Sequence, residues 1–366
     1  MLLGDGLPAR VRLPNRPEEA AVGITLQLDT AAWRAHLDAF AAAAPGLVPV
    51  AKGNGYGYGL TRLAAEAERL GADTMAVGLA GEVAVARQAG FSGDIVILQP
   101  WRPGDTISDD RRVIRVISRL GDAPALAAAC ADRPPVLIEL ATPMKRFGLS
   151  LADIPAAGEI FEACEVRGWT LHPPFPRPGH DQTAWLNSLA APARAWRDAP
   201  LWVSHATPAQ AAALGAGTRL RVGTALWLGA ITSRRMTATV LDIHPVARGE
   251  RVGYHQRPMP RAGSIVVMAG GTAQGVGLES PASHRSLRAG GWRSRARSLA
   301  AGAAGAQGWA LSPFIIAGAK RWFAEPPHMQ TSLVFLPHNI TPPAVGTAVP
   351  VDLSMTTVLF DEIIDV

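Results

Sequence analysis

Val50-Ala51-Lys52-Gly53-Asn54-Gly55-Tyr56-Gly57-Tyr58-Gly59 joins two unlike halves: the end of an apolar run that begins at Leu47, and a glycine-rich loop. The apolar run reads as a buried strand, and the glycines force a tight turn where a backbone can approach a ligand closely. Lys52 is one of three lysines in the chain, and this pattern delivers its amine to a strand end beside small residues. An amine whose pKa is lowered by burial can form a Schiff base with an aldehyde. Arginines, which make up nearly all the other cations here, cannot do that chemistry. A surface lysine in a glycine turn has the same local pattern, so spacing alone leaves both readings open.

Working outward, short apolar runs alternate with alanine-rich helical patterns. The expected strands are Leu47–Lys52, Asp73–Gly78, Asp94–Gln99, Arg112–Ser118, Pro135–Ala141, Trp169–His172, Leu201–His205 and Arg219–Val222, with helices such as Leu60–Leu70, Ala80–Ala89 and Pro208–Leu214 between them. Eight strands alternating with helices predict an α/β fold, a (β/α)8 TIM barrel of parallel strands. Val22–Asp29 reads as a further strand that precedes the barrel. After about Ile231 the pattern changes to short strands with turn residues: Thr237–His244, Arg251–Tyr254, Ser264–Met268, Ser332–Phe335 and Ala348–Leu353. The expected organisation is an N-terminal segment (1–30), a barrel (31–232) and a C-terminal β domain (233–366).

Composition bounds the function classes. At 366 residues and 48% hydrophobic content, the chain exceeds one compact core and has ample material for two. No stretch approaches the about 20 continuous apolar residues of a membrane span, and Met1–Ala20 has no apolar core of a signal peptide, so a cytoplasmic location is the default expectation. Cys130 and Cys164 read as buried free thiols, and no metal-ligand spacing involves them. The net charge of +5 is carried by 32 arginines against 3 lysines, which reads as compositional bias more than as a footprint for nucleic acid. The densest cluster, Arg285, Arg288, Arg293, Arg295 and Arg297, reads as a solvated loop with Trp292 its one stacking ring. Neither nucleic acid nor a membrane is therefore an expected partner.

In an eight-stranded barrel the chemistry gathers at the carboxyl ends of the strands, and a phosphate site commonly follows the seventh and eighth. Here those ends run into Ser204-His205-Ala206-Thr207-Pro208 and Arg221-Val222-Gly223-Thr224. A hydroxyl, a histidine, an arginine and a glycine backbone suit a phosphate dianion.

Lys52–Gly59 resembles the lysine signature of the alanine racemase family, a lysine followed by Ala-Asn-Ala-Tyr-Gly-His-Gly. Asn54, Tyr56, Gly57 and Gly59 match; Gly53 and Gly55 replace alanines, and Tyr58 replaces the histidine. The resemblance runs from about Ile24 to Ile364. It implies a fold-type III plan, a barrel that binds pyridoxal 5′-phosphate followed by a β domain that the N-terminal strand joins. It implies Lys52 as Schiff-base former and one catalytic base, and Tyr56 as a phosphate ligand. Arg221 matches the arginine that faces the pyridine nitrogen, with the amides of Gly223 and Thr224 on the phosphate. Arg146, in Thr142-Pro143-Met144-Lys145-Arg146-Phe147-Gly148, matches an arginine at the cofactor's phenolic oxygen and the substrate. Glu139 stands where several members carry a carbamylated lysine, so its anion is expected to orient Arg146 by contact. His172 falls where a family histidine lies near the pyridine ring, although a lone strand-end histidine also suits a satisfied core position. Where the family has Asn-Ser this chain has Thr207-Pro208, and proline has no amide to give; Thr207 or Ala209 then takes the phosphate.

The opposite-face half of the resemblance departs from the family. Racemisation needs acid and base on two faces, and the family's second group is a tyrosine of the neighbouring subunit. Here Thr272 stands in that tyrosine's place, and Gln330 replaces the aspartate of a Met-Asp-Gln motif whose methionine survives as Met329, with an amide for a substrate carboxylate. His328 and His255 are the candidate substitute bases, each read more readily as an exposed loop histidine. The implied activity is isomerase chemistry at Cα of a small amino acid, with alanine as the reference substrate, in a homodimer with shared sites. The alternatives are a pyridoxal-phosphate lyase or epimerase of a larger amino acid, and a non-catalytic homologue that binds the cofactor.

Overall fold

The computed structural model describes residues 22–176, 179–278 and 310–366. The expectations for Met1–Ala20 and for the Arg285–Arg297 loop lie outside the described residues. In chain order the first elements are β1 (Ile24–Leu28), α1 (Thr30–Ala43), β2 (Leu47–Pro49), α2 (Leu60–Arg69), β3 (Thr74–Val77), α3 (Gly81–Gln88), β4 (Asp94–Pro100), β5 (Val113–Ile117), α4 (Asp122–Ala128), β6 (Pro135–Leu140), α5 (Gly158–Ala163), β7 (Glu165–Leu171), α6 (Gln182–Trp196), β8 (Leu201–Ser204), α7 (Pro208–Ala213), β9 (Arg219–Val222) and α8 (Thr224–Trp227).

Strands β2 to β9 form one parallel sheet in the order β2-β9-β8-β7-β6-β5-β4-β3. A parallel bridge from Val50 to Ala76 brings the end of β2 beside β3, so the eight strands nearly close into a barrel. All eight expected strands are present. Alternation along the strands turns Val48, Val50, Ala76, Val96, Ile114, Val116, Leu137 and Trp202 into a single buried cluster. Each of the larger side chains contributes roughly 1.5–3 kcal/mol on burial. β7 starts at Glu165, ahead of the expected Trp169, because Glu165 and Arg167 are exposed and gave no apolar signal.

The chain divides into two compact units. One gathers Gln27–Arg235 with Leu353–Leu359 and Ile363–Val366; the other gathers the described residues up to Leu26 with Met236–Asp352 and Phe360–Glu362. The remaining strands are β10 (Arg234–Val246), β11 (Arg251–Val252), β12 (Arg257–Pro258), β13 (Gly263–Ala269), β14 (Leu311–Ile316), β15 (Ala319–Phe323), β16 (Thr331–Pro337), β17 (Ala348–Pro350) and β18 (Glu362–Asp365). A second sheet runs β14-β15-β16-β13-β10-β1-β18, with β17 on β10. The β14–β15 hairpin was not expected from sequence. Its two turn residues, Ala317 (φ +50°) and Gly318 (φ +72°), adopt the left-handed pair that a tight hairpin needs, and alanine in the first place hides the signal. The expected strand Arg251–Tyr254 stops at Val252, because Gly253 (φ +74°) turns the chain. No helix among the described residues is long and apolar enough to cross a membrane.

Candidate functional site

The carboxyl ends of β2, β6, β7, β8 and β9 bring together most of the polar residues singled out in the barrel. Lys52 follows β2 directly, after Ala51 has donated its amide to the Ala76 carbonyl at 2.8 Å. The loop beyond it closes on itself through Gly55 N to Lys52 O (3.1 Å) and Tyr58 N to Gly55 O (2.9 Å), and Tyr56 sits at φ +52°. A non-glycine residue in that region is a strained conformation held by its surroundings. Asn54 anchors the loop by donating to the carbonyls of Met355 (2.9 Å) and Val358 (2.8 Å).

Sequence reasoning missed Glu82, in the first turn of α3. Its carboxylate accepts from the amides of Gly53 (2.9 Å), Gly78 (2.6 Å) and Leu79 (3.0 Å), and so ties the lysine loop to the β3–α3 loop. An acid in the first turn of a helix was the available signal; its reach to Gly53 was not.

Lys52 reaches solvent in part, yet its pKa is lowered, first by burial and then by the positive charges of Arg146 and Arg221, with Glu82 opposing. A larger share of neutral amine follows, the form that acts as base or nucleophile. Arg221 on β9 is buried, donates Nη2 to the Leu171 carbonyl at 2.8 Å, and has its pKa pushed down to about 10 by burial. Among the described residues its Nε is buried without a partner. A buried guanidinium N–H left open is an unfilled donor, a feature that calls for an acceptor.

His172 directly follows β7, with Nδ1 at 2.7 Å from the Ser204 hydroxyl and its ring 4.8 Å from that of His205. His205, at φ +57°, donates Nδ1 to the Pro173 carbonyl (2.7 Å) and stacks on Phe175. Burial, then Arg221, Arg146, His205 and Lys52 push His172 down to about 3. The folded protein therefore holds His172 neutral while the unfolded chain protonates it below its ordinary 6.5. Stability from this group is present in full above about pH 6.5 and falls as pH drops toward 3, by up to about 1.4 kcal/mol per pH unit. Thermal melts of His172→Gln are expected to show a shallower loss than the parent chain between pH 6.5 and 4.

The Tyr56 hydroxyl packs against the Gly223 turn between β9 and α8, and burial pushes its pKa up to about 12, so it stays protonated. A Cβ at Gly223 would land on that hydroxyl. Gly223→Ala is expected to displace Tyr56 and to weaken binding of a phosphate-bearing ligand by about 10²-fold, measured by fluorescence titration with pyridoxal phosphate.

Two expectations meet a different arrangement. Glu139 is buried in β6 with its pKa raised by burial, but among the described residues no ion pair within 4.0 Å joins it to Arg146. Arg221 is its strongest electrostatic neighbour and Arg146 the second, because the arginine side chain extends instead over the Phe147 ring, 5.2 Å from its centroid. Thr207 is the N-cap of α7: its hydroxyl accepts from Gln210 N (3.2 Å), and its own amide donates to the Gln210 side chain (2.8 Å). The cap consumes the Thr207 amide and leaves only the hydroxyl proton to offer. A cavity of about 330 Å³, lined by Ala44, Pro45, Pro208, Thr218 and Arg219 among others, lies before the amino ends of β2 and β9, away from Lys52.

In the other unit, Thr272, His328 and Met329 lie on two adjoining turns. Thr272 donates its amide to the His328 carbonyl (2.8 Å) and Ala273 its amide to the Met329 carbonyl (2.9 Å). His328 Nε2 is 2.6 Å from Glu325 Oε1, and the expected candidate His255 donates its amide to Glu325 Oε2 at 3.4 Å.

Residues 28–230 match the family model of the N-terminal domain of alanine racemase, more than half of the chain. Alanine racemase of Nitratidesulfovibrio vulgaris strain Miyazaki F is 31% identical over 141 residues, which is 36% of this chain and 37% of that protein. The match thus spans little more than a third of that relative's length. Alanine racemase from Bartonella henselae with covalently bound pyridoxal phosphate superposes with a TM-score of 0.67 at 16% identity, covering 91% of each chain. Histidine racemase from Leuconostoc mesenteroides gives 0.64 at 17% identity, covering 96% of this chain and 99% of that one. At those identities the structural likeness is one of fold.

Proposed function

The chain belongs to the alanine racemase family, and from that premise we propose that it is a pyridoxal-phosphate-dependent amino-acid racemase acting at Cα of a small amino acid such as alanine. The carrying observation is a lysine of lowered pKa at the barrel mouth, electrostatically coupled to Arg221, whose Nε is open. The residues fit the cofactor on two counts: among the described residues Arg221 Nε lacks the acceptor that a pyridine nitrogen would supply, and the Tyr56 hydroxyl lies directly against the Gly223 turn, where hydroxyl and backbone amides can face one phosphate.

When bound, pyridoxal phosphate draws electrons from the Cα–H bond. This chain's residues do the rest. Lys52 bonds the cofactor and, as a free amine, takes or returns the Cα proton on its own face. Arg221 would donate to the pyridine nitrogen, since an arginine cannot accept a proton. Tyr56, the amides of Gly223 and Thr224, and the Thr207 hydroxyl hold the phosphate. His172 lies against the ring as a neutral imidazole, and Arg146 takes the phenolic oxygen and the substrate carboxylate, with Glu139 balancing the charge of Arg221 and Arg146. Met329 offers its amide to the carboxylate, and Thr272 and His328 are the candidates for the second proton. A homodimer with shared sites is part of the proposal; sedimentation of a stable, active monomer would remove it.

The test is incubation of L-alanine, then a panel of amino acids, in D₂O with the cofactor-loaded protein, read by NMR and chiral analysis. Deuterium at Cα together with the D-enantiomer supports a racemase. Exchange with retention would leave Lys52 working alone, and no exchange on any substrate would favour other chemistry or a binding role. The panel includes histidine, because Thr272 is smaller than tyrosine and a fold neighbour is a histidine racemase; turnover of larger amino acids alone would favour the larger-substrate reading.

A further inference from the structure

The carboxylate of Glu82 serves two loops of the barrel at once. Oε2 accepts the amides of Gly78 (2.6 Å) and Leu79 (3.0 Å), four and three residues back in the chain. Local bonds of that kind steady the start of a helix. Oε1 instead accepts the amide of Gly53, the residue directly after Lys52, at 2.9 Å across 29 positions of sequence, a bond that α3 does not need. Bonds from an amide to a carboxylate are charge-assisted and roughly twice as strong as neutral ones. Gly53 takes φ +60°, so the step from Lys52 into its loop is a left-handed one whose amide the acid holds. Gly78 keeps the ground between them clear: a Cβ there would lie 3.1 Å from the Lys52 Cβ and 3.1 Å from Glu82 Oε2. The lysine stem and the acid thus converge on one position that carries no side chain.

We propose that Glu82 is a positioning residue for Lys52: by holding the Gly53 amide across the bare Gly78, it fixes the backbone from which the amine is aimed at the cofactor and the Cα proton. The inference rests on the racemase reading above for the reaction that the aim serves. The same carboxylate also sets the charge balance at the amine. Among the described residues, Arg146 and Arg221 favour loss of the Lys52 proton and Glu82 favours keeping it, while His172 and His205 feel the Lys52 charge in turn. Two ways of losing Glu82 therefore differ in sign. Removing its charge while the loop holds moves Lys52 further toward the neutral amine. Opening the loop relieves burial, the largest cause of the lowered pKa, and moves it the other way.

The experiment has two arms, each on the full chain and on variants checked for folding by circular dichroism. Before cofactor loading, trace acetylation with acetic anhydride is followed across pH by peptide mass spectrometry. The chain has three lysines, so Lys145 and Lys320 serve as internal references. After loading with pyridoxal phosphate, deuterium exchange at Cα of L-alanine is measured in D₂O. Glu82→Gln removes the charge and puts an NH₂ group where one acceptor oxygen stood. It is expected to move the labelling midpoint of Lys52 to lower pH, to leave those of Lys145 and Lys320 in place, and to lower kcat for exchange by about 10²-fold with little change in KM. Glu82→Asp keeps the charge on a shorter arm, so its midpoint is expected to stay with the parent's while exchange falls to an intermediate level. Parental midpoint and parental exchange in folded Glu82→Gln would overturn the inference, and so would a midpoint that rises, the sign of a loop merely opened. If that variant does not fold, parental exchange in folded Glu82→Asp overturns it instead. Absence of exchange by the parent chain on every substrate in the panel would remove the racemase reading, and the direction of the labelling shift would still decide for or against Glu82.

Discussion

Lys52→Ala is expected to abolish the cofactor's protein-bound absorbance and to lower Cα exchange by at least about 10⁴-fold. Lys52 is the lysine at the barrel mouth; the other two are Lys145 and Lys320. Its surroundings serve its amine in two opposed ways. Burial and the charges of Arg146 and Arg221 favour the neutral form, and Glu82, which also fixes the loop through Gly53, works the other way. Lys52→Arg keeps a cation but places a delocalised, always-charged group where a neutral nitrogen is required, so it is expected to be as inactive as alanine. Absorbance after reconstitution, with deuterium exchange measured in parallel, checks both. Wild-type exchange in either variant would mean that another group carries the proton.

Trp227→Ala carries the largest expected effect on stability, about 3–5 kcal/mol, with a melting midpoint lower by about 10 °C. Trp227 is fully buried at the end of α8, the short helix that Gly223 opens. Its indole donates to the Val50 carbonyl at 2.8 Å, and its own carbonyl accepts from the Trp33 indole at 3.0 Å. The substitution opens a cavity and strips the Val50 carbonyl, two residues before Lys52, of that donor. Trp227→Phe refills most of the volume but not the hydrogen bond, so it is expected to recover most of the stability and less of the activity. Urea titration with parallel assay separates the two losses.

The strand-and-helix alternation and the lysine loop were legible because both are local. Apolar periodicity, glycine placement and turn residues act over a few positions, and all eight barrel strands could be read from them. Glu139 was visible for a similar reason, as an acid in an apolar strand, and the missed β14–β15 hairpin is the converse: Ala317 carries no turn signal yet adopts φ +50°. The roles of side chains were less legible. Thr207 reads equally well as a phosphate ligand or a helix cap, and only the position of Gln210 one turn later, with both hydrogen bonds formed, assigns its amide to the cap.

By itself, then, the sequence determined the order of elements, the barrel, the change to β structure after it, and the delivery of Lys52 to a strand end, because each depends on interactions between near neighbours in the chain. Only the tertiary structure decided that Arg221 outranks Arg146 as the neighbour of Glu139, that Glu82 reaches Gly53, and that Glu325 stands behind His328 beneath Gly253. Strand register and turn conformation bring those groups within reach of one another. Hydrogen bonds and burial act only over ångströms, so chemistry that depends on them is written in the folded chain.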